Sequence, residues 1–173
     1  MTRHKVEPPS GNRRGFALLE VIVAVAISGF VGGGITVATI QVLDVNARST
    51  VHMTILNDVE SAVHWISRDT QMAQVVALTA PDGFPLTLTW VEWNGTSHNV
   101  TYSVQNSEFQ RSYSQNQNQP VTTVVAHHIN VDSQMTNVQI SDGTLVFRLT
   151  AAIGGFRPGS ETRLFKVFPR SAR

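Results

Sequence analysis

The chain has no cysteine. That excludes disulfide staples and every zinc site built on thiolates, and it fits either side of a membrane. No proline stands between Pro9 and Pro81, so nothing in that span forces a helix to break. Charge is missing as well: from Phe16 to Leu43 the lone ionisable side chain is Glu20. A net charge of +1, with no basic stripe interleaved with aromatics, gives no reason to expect nucleic acid as a partner. The nucleophile elbow G-x-S-x-G, the phosphate-binding loop and H-E-x-x-H are all absent. No catalytic residue, metal or cofactor is expected, and the chain does not read as an enzyme.

What is present splits sharply along the chain. The 173 residues suit one membrane segment plus a globular part of about 130 residues, enough to bury a core of its own. Residues 1–15 hold Arg3, Lys5, Arg13 and Arg14 against Glu7, with Pro8, Pro9, Ser10 and Gly11 between them. Such a leader is expected to be unfolded, and its positive charge beside an apolar run places it on the cytoplasmic side. A helix over residues 16–43 would be roughly 40 Å long, enough to span a hydrocarbon core of ~30 Å. A secretory signal has a shorter apolar core followed by a small-residue cleavage site, which does not match. A plain signal anchor explains the length and the basic flank but not Glu20. An acid inside an apolar run costs ~2–3 kcal/mol on insertion scales, less near the interface.

The residues around that acid are Gly15-Phe16-Ala17-Leu18-Leu19-Glu20-Val21, behind Arg13 and Arg14. This pattern resembles the class III signal of type IV pilins and pseudopilins. The resemblance implies that a membrane-embedded prepilin peptidase cuts between Gly15 and Phe16, removes residues 1–15 and methylates the new amino group of Phe16. Because the cut precedes the apolar run, the mature chain keeps its helix as a single-pass segment of the cytoplasmic membrane, with the head extracytoplasmic. The implied partners are the peptidase, sister pilins or pseudopilins joined through the N-terminal helix, an inner-membrane assembly platform and membrane lipid. Entry into a pilus or pseudopilus is part of the same implication. Glu20 gains a role from simple electrostatics. An isolated ammonium or carboxylate in a dry helical bundle is strongly disfavoured, whereas a pair largely compensates. Side-by-side subunits offset by one step would set Glu20 of one against the Phe16 amine of the next, and in the family this glutamate is the assembly residue.

Gly29, Gly32, Gly33 and Gly34 fall in the middle of the apolar helix. Gly29 and Gly33 have the G-x-x-x-G spacing of close helix contact. Glycine is also simply more frequent in membrane helices, and a weak point where the helix bends is a third reading. Beyond Leu43 the sequence turns polar, then Ile55, Val59, Ala62, Val63, Ile66, Ala73 and Val76 recur in steps of three and four, with one gap at 69–70. Residues 44–78 are therefore expected to extend the same helix amphipathically, to about Ala77. Its opposite face would carry Asp58, Glu60, Arg68, Asp69 and Gln71, with His64 one turn from both Glu60 and Arg68, an ordinary solvated set. Residues 63–73 resemble the Arg-Asp, then Gln-x-Ala stretch of J-type minor pseudopilins and related minor pilins.

Residues 79–173 are expected to form a strand-rich head. Residues 86–93 alternate with β-branched and aromatic content, Asn94-Gly95 signals a hairpin turn, and residues 99–104 read as the returning strand. Residues 109–113, then 138–140 and 145–149 around Ser141-Asp142-Gly143, and finally 164–168 complete five to seven antiparallel strands. Residues 121–125 fit a strand or a short helical turn. His127-His128 is the one pair that invites a metal, but neighbours on a strand point to opposite faces, and the chain offers no cysteine and no nearby acid cluster. Asn94-Gly95-Thr96 and Asn99-Val100-Thr101 match a glycosylation triplet that is common by chance. Calcium sites known in some pseudopilins are not transferable, since Asp132, Asp142 and Glu161 are scattered. The fold class is α+β: a long helix, half membrane and half amphipathic, then an antiparallel sheet head of pilin type. The expected function is a structural minor pseudopilin or minor pilin of a type II secretion, type IV pilus or competence machine, in a tip or priming complex. The alternative is a membrane-anchored ligand-binding or sensor module.

Overall fold

The computed structural model describes residues 13–79, 83–156 and 158–170, with side chains from residue 18 onward. One helix, α1 (Arg13–Met72), is followed by eight strands: β1 (Val75–Leu78), β2 (Leu86–Val91), β3 (Ser97–Gln105), β4 (Glu108–Gln115), β5 (Val121–Ala126), β6 (Asn137–Ser141), β7 (Thr144–Ile153) and β8 (Gly159–Val167). The chain divides into two compact units, Met1–Asn46 and Ala47–Arg173.

In the first unit α1 has no interior. Every described side chain from residue 18 to 43 is exposed, including Phe30 at 85%. Thr36 and Thr39 return their hydroxyls to the Gly32 and Ile35 carbonyls at 2.9 Å, which satisfies these hydroxyls without water. The helix is long and apolar enough to cross a membrane.

In the second unit α1 has a core. Ile55, Val59, Ala62 and Ile66 are buried, and they meet Leu86, Leu88, Val100 and Phe109 from one sheet and Phe147, Leu149 and Val167 from the other in one hydrophobic cluster. Sheet one is an antiparallel meander, β1-β2-β3-β4-β5, and sheet two is β6-β7-β8. The two are joined where Ile129 bridges Ala151 and where Asn130 N–H donates to Thr150 O at 2.8 Å. β4 and β5 slip register between Phe109 and Gln110, and Ser61 of α1 donates to the nearby Val125 carbonyl at 2.6 Å. That hydroxyl fastens the helix to the irregular strand.

The helix stops at Met72 rather than near Ala77. Ala73 N–H is shared between the Asp69 and Thr70 carbonyls, and Gln74 N–H already donates to Thr89 O of β2. Val75-Val76 then pairs with β2, because β-branched residues with a free strand edge alongside gain more from a ladder than from another helical turn. β1 is the strand that raises the number to eight. The Gln74 side chain continues the edge, accepting from Val91 N–H and donating to Val91 O, each at 3.1 Å. β8 begins at Gly159, earlier than expected, because glycine lets the strand approach α1 closely: a Cβ there would lie 2.9 Å from Ile55 Cδ1 and 3.0 Å from Val51 Cγ1. Residues 121–125 resolve as strand. The two-residue turn at Asp142-Gly143 has φ of 51° and 73°, the pair of positive angles that the right-handed twist of a hairpin requires.

Candidate functional site

The N-terminal segment expected to govern processing and assembly lies at the start of α1. Gly15 and Phe16 fall inside the helical backbone, but their side chains lie outside the described residues. Glu20 is exposed on the helix, one turn beyond Phe16 and so on the same face. Its neighbours Leu19, Val21 and Ile22 are 63%, 60% and 60% exposed. A lone carboxylate therefore stands on an apolar surface with nothing from its own unit beside it among the described residues. Further along, Gly29, Gly33 and Gly34 line a shallow groove of about 550 Å³ with Ala26 and Phe30, and a Cβ on any of these glycines would meet nothing within 4 Å. Their small size leaves room for another surface rather than for this chain's own packing.

The head contains a buried ionic cluster that the sequence pattern mislaid. Asp69 is 1% exposed, not on a solvated face. Arg111 of β4 donates to it through Nε at 2.7 Å and through a terminal nitrogen at 3.3 Å, and the Tyr102 hydroxyl donates to the same carboxylate at 2.6 Å. The guanidinium is sandwiched by aromatics, 4.9 Å from the Trp65 ring centre and 5.1 Å from that of Tyr113. Burial, reinforced by the Asp69 charge and hydrogen bond, pushes the Tyr102 phenol well above its ordinary range. Burial alone would lower the Arg111 pKa, but the hydrogen bond and charge of Asp69 outweigh it and raise the value. The cluster ties α1 to the middle of sheet one, and its groups are used up by one another. The signal was the gap at 69–70 in the apolar stripe: Asp69 and Thr70 fill the core-facing series between Ile66 and Ala73.

Histidines form two further groupings. His98 is nine-tenths buried between Trp90, stacked at 5.1 Å between ring centres, and Tyr113, whose hydroxyl lies 2.8 Å from its Nδ1. Its Nε2 has Glu92 Oε1 at 3.3 Å, off the line a hydrogen bond needs. His127 and His128 do have acids beside them, supplied from far away in sequence. Asp58 of α1 accepts from the His127 backbone N–H at 3.0 Å and lies 2.8 Å from His128 Nδ1, while Glu108 stands 3.8 Å from His127 Nδ1. Asp58 is thus a tether between α1 and the crossing from β5 to sheet two, rather than a solvated helix residue. The two rings are 6.3 Å apart, and among the described residues no set of three or more His, Cys, Asp or Glu side chains converges as metal ligands would.

Residues 10–36 match the family model described as the prokaryotic N-terminal methylation motif. No curated protein and no solved structure is matched by the chain. The motif is that of type IV pilin-like chains processed from a prepilin form. It spans Gly15, Phe16 and Glu20 and the first part of the exposed apolar helix. It implies a prepilin peptidase and pilin-type partners in general, and a structural rather than catalytic family.

Proposed function

We propose that this chain is a minor pseudopilin or minor pilin of a type II secretion, type IV pilus or competence machine. The carrying observation is that the methylation motif falls on the part of α1 whose described side chains are all exposed, where Glu20 is the single charge among residues 18–43. In this reading residues 1–15 are a cytoplasmic leader, removed by cleavage between Gly15 and Phe16. Residues 16–43 serve as membrane and assembly helix, residues 44–72 stiffen the head, and the remainder is extracytoplasmic. The amine created on Phe16 is cationic and, in a bundle of such helices, pairs with Glu20 of a neighbour. The small-residue groove around Gly29 and Gly33 supports close approach of helices. The resemblance of residues 63–73 to J-type chains favours a minor subunit at a tip or priming complex. Motion of the assembly would be supplied by other components acting through the membrane platform.

Intact-mass measurement of membrane fractions, with and without a prepilin peptidase, tests the processing step. Loss of residues 1–15 and a methyl group on Phe16 are the expected result; an uncut, unmethylated chain would instead favour an anchored ligand-binding or sensor module. Glu20→Leu should leave insertion into the membrane intact while abolishing crosslinks to sister pilin-like subunits. Normal crosslinking by that variant would remove the role given to Glu20.

A further inference from the structure

The five-stranded sheet has a face turned away from its core, and that face is polar but nearly uncharged. A row of Thr87, Thr101, Ser112 and Thr122 crosses four neighbouring strands in register, with Asn99 and Ser114 paired beside it. Thr87 and Thr101 share a hydrogen bond at 3.3 Å, and Ser112 and Thr122 share a shorter one. Among the described residues projecting from this face, Glu108 alone is charged, at one corner, where it accepts from Gln110 at 3.1 Å. The others are threonine, serine, asparagine, glutamine, valine and alanine, mostly half-exposed. At a strand spacing of about 4.8 Å the face is about 20 Å wide.

Beyond the end of β2, in the turn to β3, stands Trp93, which is 99% exposed. With Met72, Gln74, Trp90, Val91, Glu92 and Arg170, this indole borders a cavity of about 610 Å³ at the end of the sheet. A flat indole left in water beside a carboxylate and a guanidinium is a stacking platform with hydrogen-bonding groups at its rim.

Chemistry narrows the occupant. Phosphate-bearing polymers and anionic lipid surfaces need a cluster of cations, and this face has none among the described residues. Protein interfaces are enriched in aromatic residues, methionine and arginine and depleted in serine; the strand face has the reverse composition, and aromatic, methionine and arginine side chains gather only at the cavity beside Trp93. What matches a broad, neutral array of hydroxyls and amides is a ligand that is itself neutral and polyhydroxylated. The C–H face of a sugar ring also suits the negative face of an indole. We propose that the outer face of β1–β5, anchored at Trp93, binds an uncharged polysaccharide chain. This is independent of how the N-terminus is processed.

The test uses the full chain in lipid nanodiscs, which carry no sugar headgroups, sedimented with particles of swollen cellulose and of chitin. Binding to at least one of these polymers, with competition by its soluble oligosaccharide, is expected. Trp93→Ala, in an exposed turn where folding is not at stake, should weaken binding about fivefold or more, the order of effect of losing one stacked ring. Thr101→Lys, at the centre of the row, should weaken it at least about tenfold with near-ultraviolet dichroism unchanged. Gln139→Lys, on the other sheet, adds the same charge and should leave binding unaltered. No sedimentation with either polymer, equal loss in the Gln139 variant, or tighter retention on heparin than on the neutral polymers would overturn the proposal.

Discussion

Asp69 occupies a position where α1 has its apolar stripe and sheet one has its inward row of Phe109, Arg111 and Tyr113. A carboxylate there is tolerable only because three donors converge on it: two guanidinium nitrogens and a phenol. Removing one member of such a buried pair leaves the other charge uncompensated, which costs about 3–5 kcal/mol. Asp69→Asn should therefore lower the stability of the head by about 3 kcal/mol in urea unfolding followed by tryptophan fluorescence, whereas Asp69→Leu combined with Arg111→Met should recover most of the loss. Tyr102 adds a pH dependence of definite sign. Its phenol holds its proton more tightly folded than unfolded, so its contribution is complete below about pH 10 and drains away as pH rises beyond that value. Denaturation curves collected from about pH 8 to 11 should show a falling alkaline limb. Tyr102→Phe should flatten that limb even though it lowers stability at neutral pH.

Elements meet in the head at two glycines of very different tolerance. Gly83 has φ of +87°, and a Cβ on it would stand 1.9 Å from the Val138 carbonyl oxygen, which is backbone of β6 and cannot step aside. Gly159 has an ordinary backbone, and its Cβ would press on the ends of Ile55 and Val51, which can shift by a few tenths of an ångström. Gly83→Ala should thus cost more than about 2 kcal/mol, the sum of a forced left-handed conformation and a backbone clash, and Gly159→Ala about 1 kcal/mol. Melting temperatures of the two variants would rank them, and the reverse order would contradict this account of the joints. Hairpins were legible in the sequence because Asn94-Gly95 and Asp142-Gly143 encode their own turns locally. β1 was not, since Ala73 and Val76 continue the three-residue step of the helical stripe before them, and the free edge of β2 that draws the chain into a strand is contributed from elsewhere. The same holds for sites. Glu20, proposed above for assembly, stands out in the sequence by being alone in an apolar run. The partners of Asp58 lie about seventy residues away, at His127 and His128, where no sequence spacing could reveal them. Arg111 likewise shows its role only once β4 is registered against β3 and α1 is laid across it.

At the scale of the whole molecule, stability comes from two unlike sources. The head is held by one shared core, in which side chains of α1 and of both sheets exclude water together. The residues before Ala47 form a separate unit with no buried side chain among those described, so their helix depends on the medium that surrounds it. A lipid or detergent phase satisfies that helix, since beyond its first turn the backbone polar groups are paired along its own axis and its surface over residues 18–43 is apolar. Heating the full chain in a bilayer or micelle should therefore separate the two. The near-ultraviolet signal of the head's tryptophans and tyrosines should disappear in one cooperative step, while a substantial helical far-ultraviolet signal persists past it. The persisting fraction should correspond to residues before about 47, because the later part of α1 loses its core when the sheets unfold. Loss of the two signals at one temperature would mean that the apolar segment draws its stability from the head. Losing the residual helix on transfer to water, with the head's transition unmoved, would confirm that it draws it from lipid.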